Sequence, residues 1–255
     1  QHDQYGGKNS PRASLILAPN QRWSAKLLYG KAFRAPSFRE LYITEIPKED
    51  DGDPNLKPER METVELALKY SPIPALRTNL ALYRNAISDF VAPDPATLQY
   101  ANTGRYYIYG LEPEIRYQWK KRGYVFFNYT LLRARDANGN NMPDVASEMF
   151  NLGANATMAS YVNVYAALQH VGRRNRPSNY QAAIPAALRK DLLGAYDKVN
   201  LVLTTRNLPI EITLGIYNIL DAQSFNPSYA RDTYDIEHPG RNFMVQVRYR
   251  FSGDL

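Results

Sequence analysis

The chain has 255 residues, no cysteine, 31 Lys and Arg against 25 Asp and Glu for a net charge of +6, 20 tyrosines and 44% hydrophobic residues, at a mean hydropathy of -0.48. Lack of cysteine excludes a disulfide framework, thiolate metal sites and cysteine nucleophiles. The cations are dispersed singly along alternating segments and not gathered in one stripe, which argues against a nucleic-acid partner, and no run reaches the roughly 20 apolar residues of a membrane-spanning helix. Many apolar residues at low mean hydropathy is what strands alternating between lipid-facing and water-facing side chains average to.

Gln1 to Gly7 is polar and holds no apolar signal-peptide core, so a mature chain or a fragment is expected. The first predicted strand is Arg12 to Ala18. Trp23, Ala25, Leu27 and Tyr29 then alternate, followed by Val64, Leu66, Leu68 and Tyr70 with Thr63, Glu65 and Lys69 on the opposite face. Further strands are predicted over 76 to 89, 104 to 119, 123 to 135, 147 to 158 and 161 to 172. Val199, Leu201 and Leu203 oppose Asn200 and Thr204, and after a turn at Asn207-Leu208-Pro209 the series Ile210, Ile212, Leu214 and Ile216 completes a hairpin. The last strand sets Phe243, Val245, Val247, Tyr249 and Phe251 against Met244, Gln246, Arg248 and Arg250.

The count is about eleven strands, with no helix-period segment between them. Connections at Pro19 to Gln21, Ser71 to Pro74, Lys120 to Gly123 and Asn207 to Pro209 are short, whereas 33 to 58, 174 to 191 and 221 to 240 are long. Short turns at one end and long loops at the other describe an all-β, antiparallel transmembrane barrel. A soluble β-sandwich or propeller is the alternative. Strand length, and aromatic residues near strand ends (Trp23, Tyr29, Tyr70, Tyr107, Tyr109, Tyr117 and Trp119), favour the membrane barrel. An odd strand number does not close by itself in lipid, where an open edge leaves backbone groups unsatisfied, so further strands are expected upstream.

Lys31 to Tyr42 reads KAFRAPSFRELY, and Asp53 to Glu59 reads DPNLKPE before the strand ETVELALKY. This pair resembles the FRAP and NPNL-type boxes of TonB-dependent outer-membrane receptors. Asn102-Thr103-Gly104 and Gly110-Leu111-Glu112 are similar to the family's N-x-G and G-x-E segments, Tyr217 to Asp221 to its N-L-x-D/N step, and Gly240-Arg241 opens a final strand ending in Phe251. The motif positions are thus Phe33, Arg34, Ala35, Pro36, Asn55, Leu56, Pro58, Glu59, Asn102, Gly104, Gly110, Glu112, Asn218, Gly240, Arg241 and Phe251. Together they imply that residues 1–255 form the C-terminal part of a 22-stranded barrel domain. Family members usually finish at the terminal aromatic, whereas Ser252 to Leu255 extends past Phe251. Neither the family's plug domain nor its TonB-contacting box occurs in the sequence.

No catalytic constellation emerges, because His2, His170 and His238 lie in different segments and no phosphate-binding or dinucleotide fingerprint occurs. The sequence predicts neither an enzyme nor a cofactor. Asp232, Asp235, Glu237 and His238, and likewise Glu49, Asp50, Asp51 and Asp53, read as solvated loop more readily than as metal ligands. Asp136 to Asn141 reads as a hairpin turn around Asn138-Gly139 and not as a calcium loop.

The resemblance implies energy-coupled import of a scarce nutrient across the outer membrane of a Gram-negative bacterium, most commonly a ferric siderophore. Partners implied are the plug and the remaining strands, TonB through the plug, and outer-membrane lipid and lipopolysaccharide. Haem receptors of this type carry a histidine between the boxes, and Phe33 to Leu56 has none. Cobalamin, haem, free metal and glycan are the alternative cargoes, and a passive porin-like barrel is the alternative of a different class. Ligand-binding candidates are Arg34 and Arg105 together with Tyr42, Tyr106, Tyr180, Tyr229 and Tyr234 in or beside long loops. For Arg34, fixing loop geometry is the competing role; for tyrosines near strand ends it is a headgroup-level girdle.

Overall fold

A computed structural model describes residues 5, 7, 9–44, 51–94, 97, 99–119, 122–158, 160–176, 192–226 and 235–249. Tyr180, Tyr229, Tyr234, Asp232, Glu49, Asp50, His2, Phe251 and the tail after it lie outside that set. The alternating segments form one antiparallel sheet of eleven strands. In chain order these are β1 (Arg12–Asn20), β2 (Trp23–Arg34), β3 (Glu59–Ile73), β4 (Leu76–Ser88), β5 (Tyr106–Trp119), β6 (Gly123–Asp136), β7 (Glu148–Met158), β8 (Val162–Val171), β9 (Tyr196–Thr205), β10 (Ile210–Tyr217) and β11 (Asn242–Tyr249). Each pairs with its sequence neighbours, so the sheet is a continuous meander whose outer members are β1 and β11.

Two expectations are corrected. The turn placed at Ser71 to Pro74 sits at Pro74-Ala75, because β3 runs on through Ile73. A helix, absent from the periodicity reading, also occurs: α1 (Phe38–Tyr42), of 5 residues. One turn is too short for the 3.6 period to show, and its signature is instead the Ser37-x-x-Glu40 capping box. No helix among the described residues is long and apolar enough to cross a membrane, which does not bear on crossing by strands.

Antiparallel partners point to the same side, so the register fixes which residues share a face. Leu15, Leu27, Leu66, Leu82, Leu111 and Leu131 are successive partners along one row from β1 to β6. On the opposite face Lys69, Asn79, Glu114, Asn128, Asn151, Gln169 and Lys198 are successive partners from β3 to β9. An apolar outer wall and a polar inner wall follow from that single alternation. The strand-end aromatics obey it: by parity Trp23, Tyr29, Tyr70, Tyr107, Tyr109, Tyr117 and Trp119 all lie on the apolar face, and the Trp23 and Tyr70 rings stack at 4.0 Å.

At one end the strands are joined by tight connections such as Gln21-Arg22 and Pro74-Ala75; at the other they are joined by 35–58, 89–105, 137–147, 172–195 and 218–241. At the tip of 137–147 the Asp136 carboxylate accepts from the backbone N–H groups of Asn138 (2.9 Å) and Asn140 (2.8 Å), and Gly139 takes φ 87°. That is turn chemistry, with the Asp136 carboxylate occupied by local donors.

Gly110 of the G-x-E segment has a packing reason. A Cβ there would come within 2.1 Å of the Tyr83 ring, which crosses the inner face to donate from its hydroxyl to Glu112 Oε1 at 2.8 Å. Replacing Gly110 by Ala should displace that ring and cost about 1–3 kcal/mol, the usual penalty of overpacking. Urea unfolding of the folded barrel checks this, and Tyr83→Ala in the same background should recover part of the loss; additive effects would refute the packing account.

Candidate functional site

The long-loop end carries most of the family motifs, and there they hold loops together. β2 ends at Arg34; Pro36, with no N–H to give, breaks the ladder, and Ser37 caps α1. Glu40 closes the capping box by accepting from the Ser37 backbone N–H at 2.6 Å. Arg34 then grips two carboxylates. Its Nε and Nη2 donate to Glu59 Oε2 and Oε1 at 2.6 and 2.8 Å, and its Nη1 and Nη2 donate to Glu40 Oε2 and Oε1 at 2.9 and 3.0 Å. Both glutamate side chains are 13% exposed. Two forked, charge-assisted contacts on one planar guanidinium are geometry that a lysine does not reproduce.

Glu59 extends the clamp to a second loop, because its Oε1 also accepts from the Val91 N–H at 2.8 Å. Asn102 works from the other side: its Oδ1 accepts from the Lys57 N–H at 2.9 Å while its Nδ2 donates to the carbonyls of Lys57 and Asp89 at 3.0 and 2.8 Å. Asp53 nucleates the turn between them, its Oδ1 accepting from the Asn55 N–H at 2.8 Å. Gly52 lies so close to α1 that a Cβ would meet the Leu41 carbonyl carbon and the Tyr42 nitrogen at 2.6 Å. Leu41, Leu56 and Val91, with Tyr100 against them, fill the small core so enclosed. The described parts of loops 35–58 and 89–105 are therefore one packed unit. Gly104 completes it at φ 113°, a conformation that glycine adopts without strain.

The Gly240-Arg241 and Tyr217-to-Asp221 segments join in the same manner. Asn218, buried at φ 52°, exchanges side-chain hydrogen bonds with the backbone of Ala222 at 2.9 and 3.0 Å. Asp221 Oδ1 accepts from the Arg241 N–H at 2.7 Å, and Arg241 Nε donates to the Ile219 carbonyl at 2.9 Å. A Cβ on Gly240 would strike Asp221 Oδ1 at 2.7 Å. Arg174 ties further loops, donating to Asp144 at 3.2 Å, Asn226 at 3.4 Å and the Phe225 carbonyl, while Arg176 pairs with Asp235. Neither arginine figures among the sequence candidates; nothing in their local pattern marks them.

The candidates separate accordingly. Arg34 has its guanidinium spent on Glu40 and Glu59. Tyr42 stands on the outer side of α1 with Phe38, rings 5.1 Å apart, and Phe38 is 79% exposed. Tyr106 packs edge-on to Phe90 at 4.8 Å. Arg105 lies with Tyr107 on the opposite side of the sheet from Tyr106, in a concavity shared with Lys31, Arg60 and Arg84. Tyr180, Tyr229 and Tyr234 are not among the described residues. Glu40 is a further residue that sequence reasoning missed, and the capping box was the signal for it.

Residues 1–219 match the family described as TonB dependent receptor-like, beta-barrel. The chain is 24% identical, over 88% of its length, to a heme/hemopexin utilization protein C of Haemophilus influenzae, and 31% identical over 34% of its length to the vitamin B12 transporter BtuB of Vibrio vulnificus. It superposes on the ferric-catecholate import receptor Fiu of E. coli K12 with a TM-score of 0.75 at 17% identity, covering 94% of this chain. That last likeness is one of fold. The chain spans 35% of the Haemophilus protein, 13% of the Vibrio protein and 34% of the Fiu chain.

Removing the Arg34 side chain leaves two poorly exposed carboxylates facing each other. Arg34→Ala should loosen loops 35–58 and 89–105 together by about 1–3 kcal/mol, discounted for the arginine's own exposure. Hydrogen exchange would show faster exchange in both loops, with Arg34→Lys only partly protective; a change confined to 35–58 would refute the shared clamp. Burial pushes the Glu40 carboxyl up, but the Arg34 fork and the Ser37 donors outweigh it and hold the group below its ordinary 4.5. A lowered folded value means its contribution is fully present above 4.5 and is lost as pH falls through the lowered value. Exchange protection of both loops should accordingly stay level from about pH 7 down to 4.5 and decay below it.

Proposed function

Because this chain belongs to the TonB-dependent receptor family, as part of its β-barrel, we propose that residues 1–255 are the C-terminal part of the barrel of an outer-membrane receptor that imports a ligand. Barrels of this family are outer-membrane proteins of Gram-negative bacteria. The observation that carries the reading is a sheet with an apolar outer wall and a polar inner wall whose long loops are knitted together at one end. That end faces the cell exterior, and its loops present the ligand surface. The unpaired sides of β1 and β11 take the remaining strands, since in lipid no water satisfies an open edge. The polar inner wall receives a plug, through which TonB delivers energy, and the outer wall contacts lipid and lipopolysaccharide. The reading includes no catalytic role and no cofactor.

A ferric siderophore is the cargo we favour, and Phe38 and Tyr42 are the described aromatics best placed to meet it, with Tyr106, Tyr180, Tyr229, Tyr234 and Arg105 as further candidates. Arg34 serves by holding α1 beneath them. Haem is the second reading, favoured by the Haemophilus relative and disfavoured by the absence of histidine from Phe33 to Leu56. Intrinsic fluorescence of the complete receptor, titrated with ferric siderophores, haem and cobalamin, tests both. Saturable quenching by a ferric siderophore is the expected outcome. The double variant Phe38→Ala/Tyr42→Ala should weaken that binding about tenfold, the loss of roughly 1.4 kcal/mol of aromatic contact. Saturation by haem alone would replace the cargo; a flat response to all three would return the protein to the passive-barrel class.

A further inference from the structure

We infer that the rim of short turns is a docking surface for the carboxylate-bearing peptide stems of peptidoglycan, the polyanionic layer beneath an outer membrane. The inference rests on the outer-membrane reading above, which turns this rim toward the periplasm. Charge is divided between the two ends of the sheet. Each of the five long connections contains at least one Asp or Glu, and none of the five short ones does. Arg22, Arg122 and Arg206 stand in the short turns themselves, and Arg77 follows the turn at Pro74-Ala75; all four are exposed. No ion pair engages any of them among the described residues. Of the carboxylates set back from the rim on the inner face, Glu211 is paired with Arg248 at 3.5 Å and Glu114 accepts from Asn79 Nδ2 at 3.4 Å.

Two further observations point to an anion at this end. Arg77 and Arg116 are direct cross-strand partners on the inner face, with the Arg116 guanidinium 3.6 Å from the centre of the Tyr124 ring. Like charges directly opposite each other destabilise a sheet, and the inward Lys69 of β3, opposite Asn79, adds a third cation instead of a counter-charge. The rim is also held in place. Asn20 Oδ1 accepts from the N–H groups of Arg22 and Trp23 at 2.8 and 3.1 Å. The carbonyls of Arg22, Ala75 and Arg122 accept from Ser71, Gln118 and Thr157 at 2.8, 2.8 and 2.6 Å, so each of these turns is tied to the next hairpin. Arg206 is tied twice, its N–H donating to the Tyr161 carbonyl and its Nη1 to Thr157 Oγ1, both at 2.7 Å. Cations on a backbone so fixed lose little freedom when a partner binds.

The arrangement selects among anions. Lipid headgroups beside the barrel meet the outward strand positions, and at this end those are Trp23, Tyr70, Thr78, Tyr117, Trp119 and Val125, none of them charged. The cations lie on the inner face or in the turns beyond that aromatic belt. A compact acidic protein would be met by cations gathered in one patch. Here Arg22, Arg77, Arg122 and Arg206 mark the first, second, third and fifth turns. Successive turns are about 10 Å apart, since each hairpin adds two strand separations. A spaced row of guanidinium groups suits a polymer that presents carboxylates at intervals, each able to take a planar fork through two oxygens.

The test uses the complete receptor, purified in detergent and sedimented with isolated peptidoglycan sacculi. Wild type should sediment with the sacculi and be released at high salt. The triple variant Arg22→Gln/Arg122→Gln/Arg206→Gln should be retained about tenfold less, the sum expected of three exposed ion pairs. Arg133→Gln/Arg135→Gln, at the opposite end of the sheet, should behave as wild type, and sacculi whose carboxyl groups have been amidated should retain little of either. Equal retention of wild type and triple variant, or undiminished retention on amidated sacculi, would overturn the inference. So would vesicles of phosphatidylglycerol that capture wild type and not the triple variant while sacculi capture neither, because the rim would then be a lipid site. If the triple variant fails to fold, Arg22→Gln alone must still lower retention. Cargo titrations separate this inference from the reading it rests on: a receptor that binds cargo but not sacculi refutes the rim alone, and one that binds sacculi but no cargo refutes the transport reading and leaves the rim standing.

Discussion

Barrels of this family lie in a bilayer, which offers the backbone no hydrogen-bond partner, and the features of the fold follow from that constraint. Every N–H and C=O at membrane depth must be met by the next strand, which forces a continuous sheet, removes latitude at one end of the hairpins and leaves irregular structure to the other end, outside the apolar zone. The eleven-stranded meander shows the result. Its chain is spent on long connections such as 35–58, 172–195 and 218–241 at one end and on near-minimal turns at the other.

Long loops bring their own difficulty, since they carry many backbone groups and few apolar side chains to hold them. Here a small set of polar residues with several hydrogen-bonding arms substitutes for a core. Arg34 joins α1 to β3 and, through Glu59, to Val91; Asn102 stitches the same two loops from the opposite side; Arg174 gathers others. Among the described residues, Leu41, Leu56 and Val91 with Tyr100 make the hydrophobic cluster there. This explains why the motif positions crowd at strand ends: they are joints, while exposed aromatics such as Phe38 and Tyr42 lie on what the joints support.

Much of the fold was legible in the chain because a strand writes its own parity. Val64, Leu66, Leu68 and Tyr70 declare one face without reference to any other segment, and short turns declare which strands are neighbours. The boundaries suffered where no such pattern exists, as at Ile73, which extends β3 into the expected turn, and at α1, whose single turn leaves only a capping box as its trace. The candidate site was less legible. Arg105 and Tyr106 are adjacent in sequence, yet alternation sends them to opposite sides of the sheet.

The sequence by itself determined the alternation, the strand number and the two-faced wall, because these depend on side-chain period and turn chemistry over a few residues. Tertiary structure alone decided that Arg34 meets both Glu40 and Glu59, that Tyr83 lies over Gly110, and that Lys31, Arg60, Arg84 and Arg105 line one concavity. Apart from Arg34 with Glu40, six residues on, those contacts join residues far apart in the chain, and their existence depends on the register between strands, a quantity that no single segment encodes.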